Sequence, residues 1–242
     1  MSDHDVAARL ATAAGRLLLD VRTELADASE AERKAAGDKR SHEFLMEALA
    51  AERPGDAVLS EEAADNPVRL TAERVWIVDP LDGTREFSEP GRQDWAVHIA
   101  LWQSGELVAG AVALPAQGIT FATPTVNVPQ ATADKPRIVV SRTRPPAIAL
   151  AVRDALDGTL VEMGSAGAKV ASVVQGLSDI YVHAGGQYEW DSAAPVAVAR
   201  AAGLHTSRID GSPLAYNQPD PLLPDLVVCR PELADAVLAV TG

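Results

Sequence analysis

Apolar residues return every three or four positions at the start of this chain. Between residues 4 and 27, Val6, Leu10, Ala13, Leu17 and Leu18 share one helical face, with Arg and Asp between them. The next stretch, SEAERKAAGDKR (29–40), is charged and broken by Gly37, and reads as a mobile loop. Phe44, Leu45 and Leu49 then begin a second amphipathic helix, which Pro54 and Gly55 end. Beyond it the pattern shortens. AVLS (57–60) and VWIV (75–78) are brief apolar runs suited to buried strands, and WAVHIALW (95–102) and LVAGAVAL (107–114) flank a QSGE turn.

The Thr/Pro/Ala-rich segment 122–136 reads as a connection between halves. After it, RIVVS (137–141) opens a run of alternating strand and helix candidates that ends in a helix near 231–241. These patterns predict sheets sandwiched between helix layers. Two halves are expected, 1–130 and 131–242, joined as one compact catalytic unit.

Composition narrows the function. The chain has 242 residues, 47% of them apolar and 23% charged, with a formal net charge of −13. Such a field repels nucleic-acid polymers and anionic membrane surfaces, but leaves room for a small phosphorylated ligand held by cations. Cys229 is the sole cysteine, so neither an intrachain disulfide nor a cysteine-based zinc cluster is expected. No apolar run reaches the roughly 20 residues of a membrane span, and the start lacks a basic leader, so a cytoplasmic address is expected.

The candidate chemistry lies in RVWIVDPLDGTREF (74–87). An apolar strand runs into Asp79 and, three residues later, Asp82. Proline and Asp-Gly also make ordinary turns. LSEEA (59–63) repeats the arrangement, however, with a short apolar run leading into Glu61 and Glu62. YEWDSAAP (188–195) adds Asp191, which alone reads equally as a helix N-cap.

Carboxylates crowded at adjacent strand ends repel one another unless a cation lies between them, and all-oxygen donor sets suit Mg²⁺. Gly83 and Thr84 at a helix start present backbone N–H groups to an anion. Together these features predict metal-assisted hydrolysis of a phosphate ester. No G-x-S-x-G elbow and no G-x-x-x-x-G-K-[ST] loop occurs, which argues against a serine nucleophile and a P-loop ATPase.

WIVDPLDGTREF, with LSEEA upstream and EWDSAAP downstream, resembles the inositol monophosphatase superfamily of Mg²⁺-dependent, lithium-sensitive phosphatases. DGTREF, VSRTR (140–144) and GSAGAK (164–169) are similar to the CysQ-type nucleotidases within it. The resemblance implies an α/β/α/β/α layered sandwich of two sheets and three helix layers. It implies two or three Mg²⁺ ions per site. Glu61 is expected to hold the first and a weak third, Asp79 to bridge two, the Leu81 carbonyl to complete the first site, and Asp82 and Asp191 to bind the second.

Thr84, assisted by Asp38, is expected to orient the attacking water, and the N–H groups of Gly83, Thr84 and Arg85 to cradle the phosphate. Ser141, Arg142, Ser165, Lys169 and His183 are expected to contact the rest of the substrate. The implied activity removes the 3′-phosphate of adenosine 3′,5′-bisphosphate, with the sulfated nucleotide as a further substrate and a role in sulfate assimilation. The alternatives are inositol monophosphate or fructose bisphosphate as substrate, and, outside enzymes, a metal or nucleotide sensor. The resemblance also allows a homodimer.

Two positions depart from the family pattern. Ala35 replaces a threonine that commonly precedes the early aspartate, and His183 stands where an arginine is common, so a broader substrate range is expected. The remaining residues take plainer readings. His98 is expected to be a satisfied strand residue, Trp190 to pack behind Asp191, and Arg144 to be a surface charge. The charges of ERKAAGDKR (32–40) are expected to form a solvated loop, with a lid over the site as the other reading.

Overall fold

In the computed structural model, which describes residues 1–128 and 134–242, the first helix is α1 (Asp3–Glu24). Ser2 caps it reciprocally with Asp5, and Val6, Leu10, Leu18 and Val21 form its buried stripe. The second, α2 (Glu30–Glu52), replaces the expected loop at 29–40. Ser29 and Glu32 make a capping box whose S-x-x-E spacing is present in the sequence.

The buried face of α2 explains why hydrophobic periodicity missed its first half. Arg33, Gly37, Ser41, Leu45 and Leu49 recur every four residues, but the first three are not apolar. They serve the segment from Pro80 to Ser88 instead. Arg33 Nε donates to Ser88 O (3.0 Å), and Ser41 Oγ donates to Pro80 O (2.7 Å). Gly37 lets α2 approach so closely that an added Cβ would sit 2.7 Å from Phe87 and 2.8 Å from Leu81. The lid reading ends here, because these residues are a helix packed under the site.

Five strands form the first sheet in the order β1 (Ala57–Ser60), β2 (Arg74–Asp82), β3 (Ala96–Gln103), β4 (Glu106–Leu114) and β5 (Ile119–Ala122). Only β1 and β2 are parallel. Strand β2 does not stop at Asp79 but continues to Asp82 through an irregularity in its pairing with β3. Such a bulge re-aims side chains at the end of a strand. A short helix, α3 (Thr84–Ser88), follows at once.

The second sheet runs β7 (Thr159–Met163), β6 (Arg137–Ser141), β8 (Ile180–Tyr188), β10 (Leu222–Cys229), β9 (His205–Ser207). Its helices are α4 (Ala147–Ala155), α5 (Ala166–Val174), α6 (Glu189–Ala201) and α7 (Ala234–Thr241). The boundary expected at residue 130 falls among residues 129–133, outside the described residues.

Three apolar clusters define the layers. Helix α1 and the second half of α2 cover one face of the first sheet through Leu10, Leu18, Leu45, Trp76 and Val78. Helices α5 and α6 lie between the sheets, against Val75 and Ile77 on one side and Val139 and Val228 on the other. Helices α4 and α7 close the outer face of the second sheet over Val140, Val182 and Val227. The chain is therefore the expected five-layer α/β/α/β/α sandwich.

Strand parity aims the chemistry inward. Val75 and Ile77 face the middle layer while Trp76 and Val78 face α1 and α2, so Asp79 follows toward the middle layer. His98 pairs with Asp79 across the β2–β3 ladder and points the same way, between Val97 and Ile99, which face α1.

One ion pair ties three strand ends of the second sheet. Asp179, 3% exposed, accepts from Arg137 N (2.9 Å), Nε (2.8 Å) and Nη2 (3.0 Å), while its carbonyl accepts from Arg230 N (3.1 Å). Burial raises its carboxyl, but the Arg137 donors and charge outweigh this and leave it below the usual range. Its stabilisation is complete above the unfolded value of about 4 and is lost as pH falls through the lower folded value. Asp179→Asn should lower stability at pH 7 by about 2 kcal/mol. Urea midpoints for both proteins from pH 3 to 7 should show that difference shrinking below about pH 4.

Candidate active site

Asp79, Asp82 and Asp191 arrive from two elements. The first two are at the bulged end of β2, and Asp191 is in the first turn of α6. Each offers a carboxylate oxygen within 4.8 Å of the others, with Asp79 and Asp82 buried. Asp191 is not the N-cap of its helix; it lies three residues inside and reaches back to accept from Tyr188 N (2.7 Å). Glu61 follows β1, which pairs with β2 up to Ser60 and Val78, so it emerges beside Asp79. Its residue surface is largely exposed, yet its carboxyl is desolvated in the cleft beside Asp79.

The electrostatics divide this cluster. Burial, then the Glu61 and Asp82 charges, push Asp79 well above the carboxylate range. Burial, then the Asp191 charge, raises Glu61 to about 7, and burial, then Asp82, raises Asp191 to about 6. Asp82 goes the other way. Burial alone would raise it, but His98, Ser165 and the Lys169 charge bring it to about 2. Its two oxygens accept from Ala166 N (3.1 Å), Gly167 N (2.6 Å) and the Ser165 hydroxyl, at the start of α5. An anion there is stabilised by the helix's positive end.

These donors fit a hard divalent cation. They are all oxygens, they converge, and burial and mutual repulsion push Glu61 and Asp191 toward the protonated form, a cost that a cation among them would relieve. The Leu81 carbonyl sits within the same turn and accepts from Thr84 Oγ1 (3.2 Å). The Thr84 hydroxyl is also 3.3 Å from Asp38 Oδ1, in bifurcated contact, on the inner side of α2. Burial and then the Glu62 charge raise Asp38 to about 6. Asp38, although drawn from the segment expected to be a loop, is thus fixed by a helix against Thr84.

Gly83 caps α3 at φ 84°, a left-handed conformation that a side chain would strain. Beside it opens a cavity of about 290 Å³. Its lining includes Gly83, Thr84, Arg85, Ser141, Arg142, Ser165 and Lys169, seven of the eight residues expected to meet substrate.

Two of them are more constrained than the sequence suggests. Lys169 is buried, its Nζ donating to Gly164 O (3.2 Å) and Ser165 O (2.7 Å), and desolvation lowers its pKa. Arg142 is gripped by Glu86 (2.8 Å) and Glu89, which raise its pKa further. His183 is not among the lining residues. It is on β8 with Nε2 3.2 Å from Gly185 O, and burial, then the Lys169 charge, disfavours its protonation.

Sequence reasoning missed His98, Glu86 and Asp94. Asp94 accepts from Gly164 N (2.6 Å) and pairs with Arg92, steadying the turn before Ser165. Trp190 stacks in parallel on Tyr188 with ring centroids 4.7 Å apart, in keeping with a packing role beside Asp191.

Comparison with known proteins matches residues 3–241 to the model of the inositol monophosphatase family. The chain is 55% identical over 234 residues to the 3′-phosphoadenosine 5′-phosphate phosphatase of Mycobacterium tuberculosis, covering 93% of this chain and 88% of that protein. It is 33% identical to the 3′(2′),5′-bisphosphate nucleotidase CysQ of Escherichia coli over 75% of this chain and 78% of that one. Among solved structures, inositol monophosphatase II of Staphylococcus aureus superposes with a TM-score of 0.79 at 19% identity, covering 97% of this chain and 92% of its own, which shows a shared fold.

Crowding of carboxylates should make the chelated protein less stable than it would be without them. Asp79→Asn is expected to raise stability in EDTA by about 1–2 kcal/mol at pH 8. The gain should fade toward pH 5, because a carboxyl raised on folding weakens the fold only where the unfolded chain would ionise it and the folded one resists. Thermal melts across that range check both sign and trend.

Proposed function

The chain belongs to the inositol monophosphatase family, and on that premise we propose that it is a Mg²⁺-dependent phosphatase that removes the 3′-phosphate of adenosine 3′,5′-bisphosphate to give AMP. The observation that carries this reading is the juxtaposition of the Asp79–Asp82–Asp191 cluster with the Gly83–Thr84 turn and the adjoining cavity. The name borne by the M. tuberculosis relative supports the nucleotide as substrate. The 3′-phosphoadenosine 5′-phosphosulfate form is a second substrate in this proposal, which fits a place in sulfate assimilation.

Glu61, Asp79, the Leu81 carbonyl, Asp82 and Asp191 would hold two Mg²⁺ ions, with a weak third at Glu61. When bound, Mg²⁺ supplies Lewis-acid polarisation of the phosphate and favours ionisation of a water. The protein's own groups do the rest. The N–H groups of Gly83, Thr84 and Arg85 hold the phosphate oxygens. Thr84 Oγ1 accepts a proton from the attacking water as its own passes to Asp38 Oδ1, an acceptor that burial has already made more basic. Ser141, Arg142, Ser165 and Lys169 bound the nucleotide's remainder, with Arg142 held in place by Glu86 and Glu89. His183, outside the cavity lining, has no contact role in this proposal. No helix among the described residues is long and apolar enough to cross a membrane. A cytoplasmic location is a separate part of this proposal.

Phosphate release from adenosine 3′,5′-bisphosphate, inositol 1-phosphate and fructose 1,6-bisphosphate, each with and without Mg²⁺, tests the reading. The bisphosphate nucleotide should lead by about tenfold or more in kcat/KM, with turnover abolished by chelation. A sugar phosphate leading by the same margin would overturn the substrate. Asp82→Asn should cut turnover by about a hundredfold or more while the chain still folds cooperatively; wild-type turnover would remove Asp82 from the metal site.

A further inference from the structure

His98 is fully buried in the middle layer, paired across the ladder with Asp79. Its Nδ1 is 3.1 Å from Trp190 O, an acceptor only, so Nδ1 carries hydrogen and donates. Its Nε2 lies 3.2 Å from Asp82 Oδ2, at ion-pair distance but too far off line to complete a hydrogen bond. One ring therefore touches both an oxygen of Asp82, on β2, and the carbonyl of the residue preceding Asp191, on α6. Those two carboxylates come from positions more than 100 residues apart, and no covalent feature sets their separation.

The packing leaves the ring no freedom. Gly167 lies against the imidazole edge so closely that an added Cβ would overlap Nε2. The same Gly167 donates its N–H to Asp82 Oδ2 (2.6 Å). Ring, carboxylate and the start of α5 thus form one interlocked contact: a shorter side chain at 98 would open a gap beneath Asp82, and an apolar one of equal size would fill it without a polar contact.

From this geometry we infer that His98 is a positioning residue, bracing Asp82 and Asp191 at the separation needed to share one divalent cation. The inference rests on the metal reading of the site given above. Groups that orient metal ligands from behind typically change affinity by about 10- to 100-fold when removed. Here a single ring orients two ligands of the same ion. The ring's contact with Asp79 is looser, Nδ1 standing 3.9 Å from Asp79 Oδ2, so its loss should weaken the ion shared by Asp82 and Asp191 most and an ion held by Glu61 and Asp79 less.

The test is calorimetric titration of the full chain with Mn²⁺, without substrate, for the wild type and three variants. His98→Gln can keep the contact toward Asp82 and His98→Asn the contact toward Trp190, whereas His98→Leu keeps volume and neither contact. His98→Leu should lose about tenfold in affinity for one ion, with the Gln and Asn variants between it and the wild type. Wild-type Mn²⁺ binding by His98→Leu, equal loss in all three variants, or equal weakening of every ion would overturn the inference. Should the Leu variant fail to fold, the Asn and Gln proteins decide the matter, since a role in filling space alone predicts no difference in Mn²⁺ affinity beyond their difference in stability. Absence of any Mn²⁺ binding by the wild type would instead sink the metal reading itself.

Discussion

Buried like charges are the constraint around which this molecule is arranged. Asp79, Asp82 and Asp191 place carboxylate oxygens within 4.8 Å of one another at the edge of a largely apolar core cluster. Carboxylates so placed must take up protons, find cationic partners inside the protein, or receive cations from solution. All three responses belong to this site. Asp79, Glu61 and Asp191 are displaced toward the protonated form, Asp82 is compensated by His98 and the start of α5, and the donor set suits a hard divalent ion.

The surrounding elements make sense as means of holding that arrangement. Strand parity turns Asp79 toward the middle layer and the bulge after it brings Asp82 to the same side, while the polar stripe of α2 grips the Pro80 and Ser88 carbonyls from the opposite side. Helix α6 crosses from the second half of the chain to pack on the first sheet and so delivers Asp191. Glu189, in the first turn of α6, accepts from Asn217 N and Gln218 N, while Arg69 bonds Asn217 and Asp65. That buried network links the chain just beyond Glu61 to the helix that carries Asp191.

Rigid placement is also evident where the substrate would rest. Ser165 has φ 47°, unusual for a residue with a side chain, and caps α5 while bonding Asp82. Its carbonyl holds Lys169, and Asp94 holds the preceding glycine. A strained residue fixed from both sides is suited to pre-organised binding rather than to a site that assembles on contact.

Much of the fold was legible in the sequence because period and burial coincide wherever a segment's inner face is apolar. The first helix, the strands at 57–60, 75–78 and 95–114, and the alternation after 137 were of that kind. The first half of α2 was not, since Arg33, Gly37 and Ser41 are its inward positions and answer backbone carbonyls rather than a core. The metal candidates were legible as well, because acids that follow apolar runs are drawn toward the interior with the strand, where their repulsion calls for a cation.

The plain reading of His98 could not be improved from the sequence. A histidine in a strand takes its meaning from what lies opposite, and pairing register is a long-range property. Likewise Arg142 and Lys169 were legible only as substrate contacts, and folding set Glu86, Glu89 and two carbonyls against them. The chain by itself determined which chemical groups are available and which faces must be buried. Only the tertiary structure decided which charges meet, because electrostatic energy depends on separation and burial in space, and neither can be read from distance along the chain.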